Sequence, residues 1–336
     1  MHMADALVSP AVGGTMTVVT GAIAVYCAKK VKADLDQSKV PLMGVLGAFI
    51  FAAQMVNFSI PGTGSSGHLG GGMILAILLG PYAAFLVMAS VLGVQALFFA
   101  DGGLLALGAN VFNLGFFPAF IAYPLIYRRI VGRDPARNKL VVGAISAAVV
   151  GLLLGALGVV FETTASGISA LPFAAFTGVM LPIHLAIGIV EGLVTAGVVL
   201  FVKGARPELL ERVSARKPLA GLDLKPILVG LLIATIVAGG ALSWFASSNP
   251  DGLEWSIGNV TGAGELAGPT DGTHGAAASV QEKTALLPGY GFKDAPESRA
   301  NAGTSVSGIV GGALTLGLTG LIGFALKRRR GARSAA

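Results

Sequence analysis

Leu69-Gly70-Gly71-Gly72-Met73-Ile74-Leu75-Ala76-Ile77-Leu78-Leu79-Gly80-Pro81-Tyr82-Ala83-Ala84-Phe85 lies within a nearly unbroken apolar run, residues 69–100, and its reading decides the fold. Read as one helix, the run crosses a membrane once. Read as two segments turning at Gly80-Pro81, it crosses twice and reverses every later segment. Glycine reaches backbone angles closed to other residues and proline lacks an amide donor, so Gly-Pro predicts the turn. Two crossings are therefore expected, at 69–82 and 83–100. Other apolar runs near the ~20 residues needed for a span occupy about 8–28, 41–60, 105–127, 140–161, 174–202, 226–247 and 305–326. The expected fold class is all-α, a polytopic membrane helical bundle of about nine transmembrane helices, seven plus two.

Positive charge supports this count. Segments 29–40, 128–139, 203–225 and 327–336 then share one face and hold 20 of the 23 Lys and Arg residues. Basic loops stay in the cytoplasm, which predicts a cytoplasmic carboxyl terminus, an outer amino terminus and a multi-pass protein of the cytoplasmic membrane. With 54% hydrophobic and 12% charged residues, the chain is far from the ~25% charge of soluble domains. The net charge of +6 is thus a topology signal, and no basic stretch interleaved with aromatic residues suggests nucleic acid. A single cysteine, Cys27, excludes an intrachain disulfide or a thiolate metal cluster.

The outer face gathers two unusual elements. Met1-His2 offers the α-amine, the His2 backbone nitrogen once deprotonated, and the His2 imidazole, three nitrogens near one plane that suit Ni(II) or Cu(II). A fourth in-plane ligand has to come from elsewhere. No basic stretch precedes the first apolar run, so a removable signal peptide is not expected. Residues 61–68, Pro61-Gly62-Thr63-Gly64-Ser65-Ser66-Gly67-His68, lie on the same face. Gly62 and Gly67 have the separation of a phosphate loop, but His68-Leu69 replaces its Lys-Ser/Thr. No ATP is expected to bind this chain.

Residues 205–224, punctuated by Pro207 and Pro218, read as a cytoplasmic linker between a first module, 1–204, and a second, 225–336. The second has two spans around an outer segment, 248–304, rich in Gly, Ala, Ser and Thr. Lys327 to Arg330 read as a cytoplasmic anchor beside membrane lipid, in preference to a specific lipid-binding site.

Three motifs of the first module, Met1-His2-Met3-Ala4-Asp5-Ala6-Leu7-Val8-Ser9-Pro10, Gly62-Thr63-Gly64-Ser65-Ser66-Gly67-His68-Leu69 and Asp101-Gly102-Gly103-Leu104-Leu105-Ala106-Leu107-Gly108-Ala109-Asn110, resemble the CbiM/NikM family. Its members are substrate-binding membrane components of energy-coupling-factor transporters for cobalt and nickel. Pro250-Asp251-Gly252-Leu253-Glu254-Trp255 and Gly289-Tyr290-Gly291-Phe292-Lys293-Asp294 resemble the auxiliary N component, here fused to the first module. The resemblance implies uptake of Ni2+ or Co2+, for cobalamin synthesis or nickel enzymes. It implies ligation by the Met1 amine, the His2 backbone nitrogen and imidazole, and the His68 imidazole. It also implies a transmembrane coupling (T) subunit and ATPase subunits as partners. Met3 stands where the family commonly has isoleucine and Ala6 where it has glycine, neither of which removes a ligand.

Other polar residues fall inside expected spans. His184 and Glu191, seven residues apart on one helix face, read as a buried structural pair or as groups for metal passage. Gln54 and Asn57 sit one turn apart, either supporting the His68 loop or bonding helix to helix. Asn110, Asn113 and Gln95 read as packing residues and His274 as solvated. The rival reading is an intramembrane serine hydrolase using Ser66 and His184. It leaves His2, His68 and the second module unexplained, and the expectation is that the protein is not an enzyme.

Overall fold

The computed structural model of the chain describes residues 2–34, 36, 38–132, 136–263, 266–293, 296 and 299–331. The run 69–100 does turn at Gly80, whose φ of 79° lies in the region glycine enters without strain, and Pro81 opens the next helix. In chain order the helices begin with α1 (Pro10–Asp34) and α2 (Lys39–Gln54). A short antiparallel hairpin follows, β1 (Phe58–Ile60) with β2 (Ser65–Gly67). Next come α3 (Gly72–Leu79), α4 (Pro81–Phe98), α5 (Leu107–Val131), α6 (Arg137–Ser166) and α7 (Phe173–Ala205). After α8 (Pro207–Ser214), the chain forms α9 (Lys225–Gly240), α10 (Gly252–Thr261), α11 (Gly272–Thr284) and α12 (Ala300–Gly331).

Six helices among the described residues, α1, α4, α5, α6, α7 and α12, have the length and composition to cross a membrane, and α2 and α9 are shorter apolar helices. The expected span 69–82 is corrected. Its helix has only 8 residues, about 12 Å at 1.5 Å per residue, against a hydrocarbon core of about 30 Å. Leu69 to Gly71 enter as open backbone, and Gly71 has a φ of 78°. Hydropathy counts these residues as apolar although their consecutive glycines disfavour helix. The expected spans 41–60 and 226–247 likewise stop early, at Gln54 and Gly240.

Every residue of α3 is buried, as is α2 from Leu42 to Gln54, so these two form the centre of the bundle. Large apolar side chains such as Leu193, Ile236 and Leu321 face outward, as a lipid-facing surface requires. Helices α6 and α7 pack along one another, and a Cβ at Gly192 would come within 2.5 Å of the Ile145 Cα. The small residues permit this backbone approach. Helices α9 and α12 pack against each other and both lie on α2, so the second module's two helices clasp the centre of the first. At one end of the bundle Lys30, Lys39, Arg128, Arg216 and Lys217 surround the turn at Gly80. The histidines gather elsewhere.

Candidate metal centre

The amino-terminal segment is held by its main chain. Met3 N–H donates to Asn110 Oδ1 at 2.8 Å, and Asn110 Nδ2 and Gly103 N–H donate back to the Met3 carbonyl at 3.1 and 2.9 Å. Asp5 Oδ1 accepts from Ala106 N–H at 3.0 Å. A side chain at Gly103 would overlap Asp5. The sequence from Asp101 to Asn110 is therefore a cradle, and residues 2 to 5 lie in it. Asn110, expected only to pack, is the clamp. Met1, the proposed amine ligand, lies outside the described residues.

His2 and His68 come together, with ring centroids 5.0 Å apart. His2 Nδ1–H donates to Asp101 Oδ1 at 2.7 Å, and its Nε2 is buried without a hydrogen-bond partner among the described residues. Asp101 Oδ2 accepts from the Tyr290 hydroxyl at 2.5 Å. Burial alone would raise the Asp101 carboxyl, but the His2 ring and the Tyr290 hydroxyl outweigh it and hold the group below the usual carboxylate range. Burial and the Asp101 charge push the Tyr290 phenol well above its ordinary value, so it stays a donor.

His68 Nδ1–H donates to the Leu69 carbonyl at 3.1 Å, and its Nε2 lies 3.8 Å from Asp251 Oδ2. Burial, reinforced by neighbouring His2, pushes the His68 ring down to about 3. It is thus a neutral imidazole with a lone pair on Nε2, the form that binds metal. Among the described residues no three His, Cys, Asp or Glu side chains converge closely enough to hold an ion.

The remaining predicted residues support backbone. Glu191 accepts from Gly70 N–H at 3.0 Å and Gly71 N–H at 3.1 Å. Gln54 Nε2 donates to the Gly70 carbonyl at 2.9 Å, and Gln95 Nε2 donates to Gln54 Oε1 at 2.8 Å. These side chains satisfy the main-chain groups that the break before α3 leaves unpaired in a buried place. Asn57 takes part through its carbonyl, which accepts from Ser247 N–H. His184 and Glu191 are both buried on one face of α7 but do not bond each other. His184 Nδ1–H donates to the Met180 carbonyl at 2.8 Å, and its buried Nε2 has no hydrogen-bond partner among the described residues. It lines a small cavity with His68 and Asp251. Asn113 Nδ2 donates to Glu162 at 2.7 Å.

One expectation is corrected, and the rival reading finds no support. His274 is buried, and its Nε2–H donates to the Val8 carbonyl at 3.0 Å, so it ties α11 to the amino-terminal segment. Ser66 donates its hydroxyl to the Asn249 carbonyl at 2.8 Å and His184 bonds the Met180 carbonyl, so the two do not form a hydrogen-bonded nucleophile–base pair. Sequence reasoning missed Asp251 and Tyr290. Each stands in a quoted motif of the second module, and the available signal was a polar residue within an otherwise bland segment.

Long apolar helices around a buried pair of imidazoles define the class, a multi-pass membrane protein. The chain belongs to the family described as the cobalt uptake substrate-specific transmembrane region, which it matches over residues 2–209; residues 225–328 match the PDGLE domain. It is 35% identical to the putative fused nickel transport protein NikMN of Archaeoglobus fulgidus over 98% of both chains. It is 32% identical to the cobalt transport protein CbiM of Sorangium cellulosum, covering 57% of this chain and 84% of that one. A crystal structure of a transition metal transporter aligns with a TM-score of 0.55 at 32% identity, covering 64% of this chain and 99% of that one. These relatives are transport proteins, which agrees with the reading against an enzyme.

Proposed function

We propose that this chain is the substrate-binding membrane component of an energy-coupling-factor transporter, capturing Ni2+ or Co2+ outside the cytoplasmic membrane and passing it inward. The observation that carries this reading is the juxtaposition of His2 and His68, 66 positions apart in sequence, as buried rings with centroids 5.0 Å apart. Two imidazoles are too few for a tight site. The Met1 amine and the His2 backbone nitrogen complete a four-nitrogen set, whose planarity suits nickel. A residue's own backbone nitrogen and imidazole share an ion through Nδ1, which closes a six-membered ring. Asp101 accepts from His2 Nδ1–H, so on this reading the ion takes Nδ1 from that contact.

His184, beside His68 at the small cavity, is the next donor for an ion leaving the site, whereas Glu191 and Gln54 hold backbone. The binding module is residues 1–204, joined by the linker 205–224 to the module 225–336. ATP hydrolysis comes from separate ATPase subunits, coupled through a transmembrane T subunit. The test loads purified protein with equimolar Ni2+ and Co2+ and compares it with a variant carrying one glycine inserted between Met1 and His2. About one planar-coordinated ion in the native chain, lost on insertion, is expected. Equal binding by both proteins overturns the amine-based site.

A further inference from the structure

The motif Pro250-Asp251-Gly252-Leu253-Glu254-Trp255 can be read atom by atom. The Pro250 carbonyl accepts from Ser66 N–H at 2.8 Å, and Ser66 with Asp251 forms a single parallel bridge, so the segment is pinned along the edge of β2. Proline has no N–H to give and is suited to such an edge. Trp255 Nε1–H donates to the Thr63 carbonyl at 2.9 Å. Between these anchors Asp251 caps α10. Its Oδ1 accepts from Leu253 and Glu254 N–H at 2.8 and 2.9 Å, while Glu254 Oε2 accepts from Asp251 N–H at 3.0 Å. The cap uses Oδ1, and Oδ2 is the oxygen facing His68 Nε2 at 3.8 Å. At Gly252 a Cβ would come within 2.8 Å of Ile187 and 3.1 Å of the His184 ring. Glycine is what lets the capped turn seat against α7.

A second arm reaches the other histidine. Leu287 and Gly289 N–H donate to the Phe98 and Phe99 carbonyls at 3.1 and 2.8 Å. The Tyr290 ring stacks on Phe99 with centroids 5.2 Å apart. Tyr290 has a φ of 62°, an unfavourable conformation for a bulky residue that persists only where its surroundings impose it. What the conformation achieves is the hydroxyl's contact with Asp101, the carboxylate that holds His2.

We propose that the second module completes the metal centre, with Asp251 placed against His68 as a positioning residue for Ni2+ or Co2+ binding, while Tyr290 secures Asp101 at the other side of the seam. The proposal rests on the reading of His2 and His68 as ligands. Residues that orient a ligating histidine change metal affinity by about 10–100-fold when altered. A carboxylate beside a neutral imidazole also adds attraction for a divalent ion in a site with little water.

The test is nickel titration of the full chain carrying Asp251→Asn. Asparagine is an equally good helix cap, so the variant retains the seam between modules. It is expected to raise the Kd for Ni2+ by about 10–100-fold and to alter the visible spectrum of bound nickel, with an unchanged melting temperature. A role confined to holding the seam lowers the melting temperature and leaves the spectrum of bound nickel unaltered. Asp251→Ser, which also preserves a cap, repeats the measurement if asparagine impairs folding. Affinity within about threefold of the native chain in all variants, with an unaltered spectrum, overturns the proposal. Retention of stoichiometric nickel by His68→Ala overturns it together with the reading on which it rests.

Discussion

Replacing Glu191 by alanine should destabilise the bundle more than removal of any exposed charge. The carboxylate is 3% exposed and accepts from both Gly70 and Gly71 N–H, the two amides immediately before α3. Helix starts leave such donors without intrahelical partners, and here they are buried. A buried donor left unsatisfied costs about 1–3 kcal/mol, so Glu191→Ala should cost roughly 2–6 kcal/mol. Glutamine retains one acceptor oxygen and turns its amide against the second N–H, so Glu191→Gln should cost about half as much, roughly 1–3 kcal/mol. Equilibrium unfolding of the purified protein in mixed micelles, followed by circular dichroism, gives the ranking. Because His68 is joined to the same loop, nickel affinity should fall in the same order. If Glu191→Ala unfolds within about 0.5 kcal/mol of the native protein, as a surface substitution does, then the carboxylate does not hold the break before α3 and the argument fails.

Three further outcomes are expected. The metal-free chain should lose stability as pH falls below about 6.5, because burial pushes His68 down to about 3 while the unfolded chain still takes up the proton. The contribution is fully present above the ordinary value and declines towards the folded one, with a slope of up to about 1.4 kcal/mol per pH unit. His68→Gln should flatten that slope, and equal slopes in the two proteins would refute the assignment. Asn110→Leu removes both side-chain bonds to Met3 and orphans its buried N–H, at about 1–3 kcal/mol; faster amide exchange at residues 3–5 and weaker nickel binding check it. Gly103→Ala drives a methyl group into Asp5 and should abolish stoichiometric nickel while leaving helix content intact, as measured by metal analysis and circular dichroism.

Much of the fold follows from local signals. The turn at Gly80-Pro81 and the long apolar helices need only chain chemistry, and the two histidines stand out as donors in an apolar chain. The short α3 is less legible, since hydropathy registers that Leu69 to Gly72 are apolar but not that their backbone is open. Glu191 was visible as an ionisable residue in a span, but its partners are amides 120 and 121 positions away, and amides carry no sequence signature. His274 looks solvated among Gly, Ala and Ser, and is buried because α11 meets the Val8 carbonyl. Asp251 and Tyr290 are hardest to read, because each matters only after the two modules have docked.

The bridge between Ser66 and Asp251 also has a thermodynamic consequence for the ion. Binding couplings are reciprocal. If seating the second module tightens nickel tenfold, nickel must tighten the seating by the same factor, about 1.4 kcal/mol. The seam between the modules then reads occupancy: it is firmest with an ion in place and loosens when the ion departs.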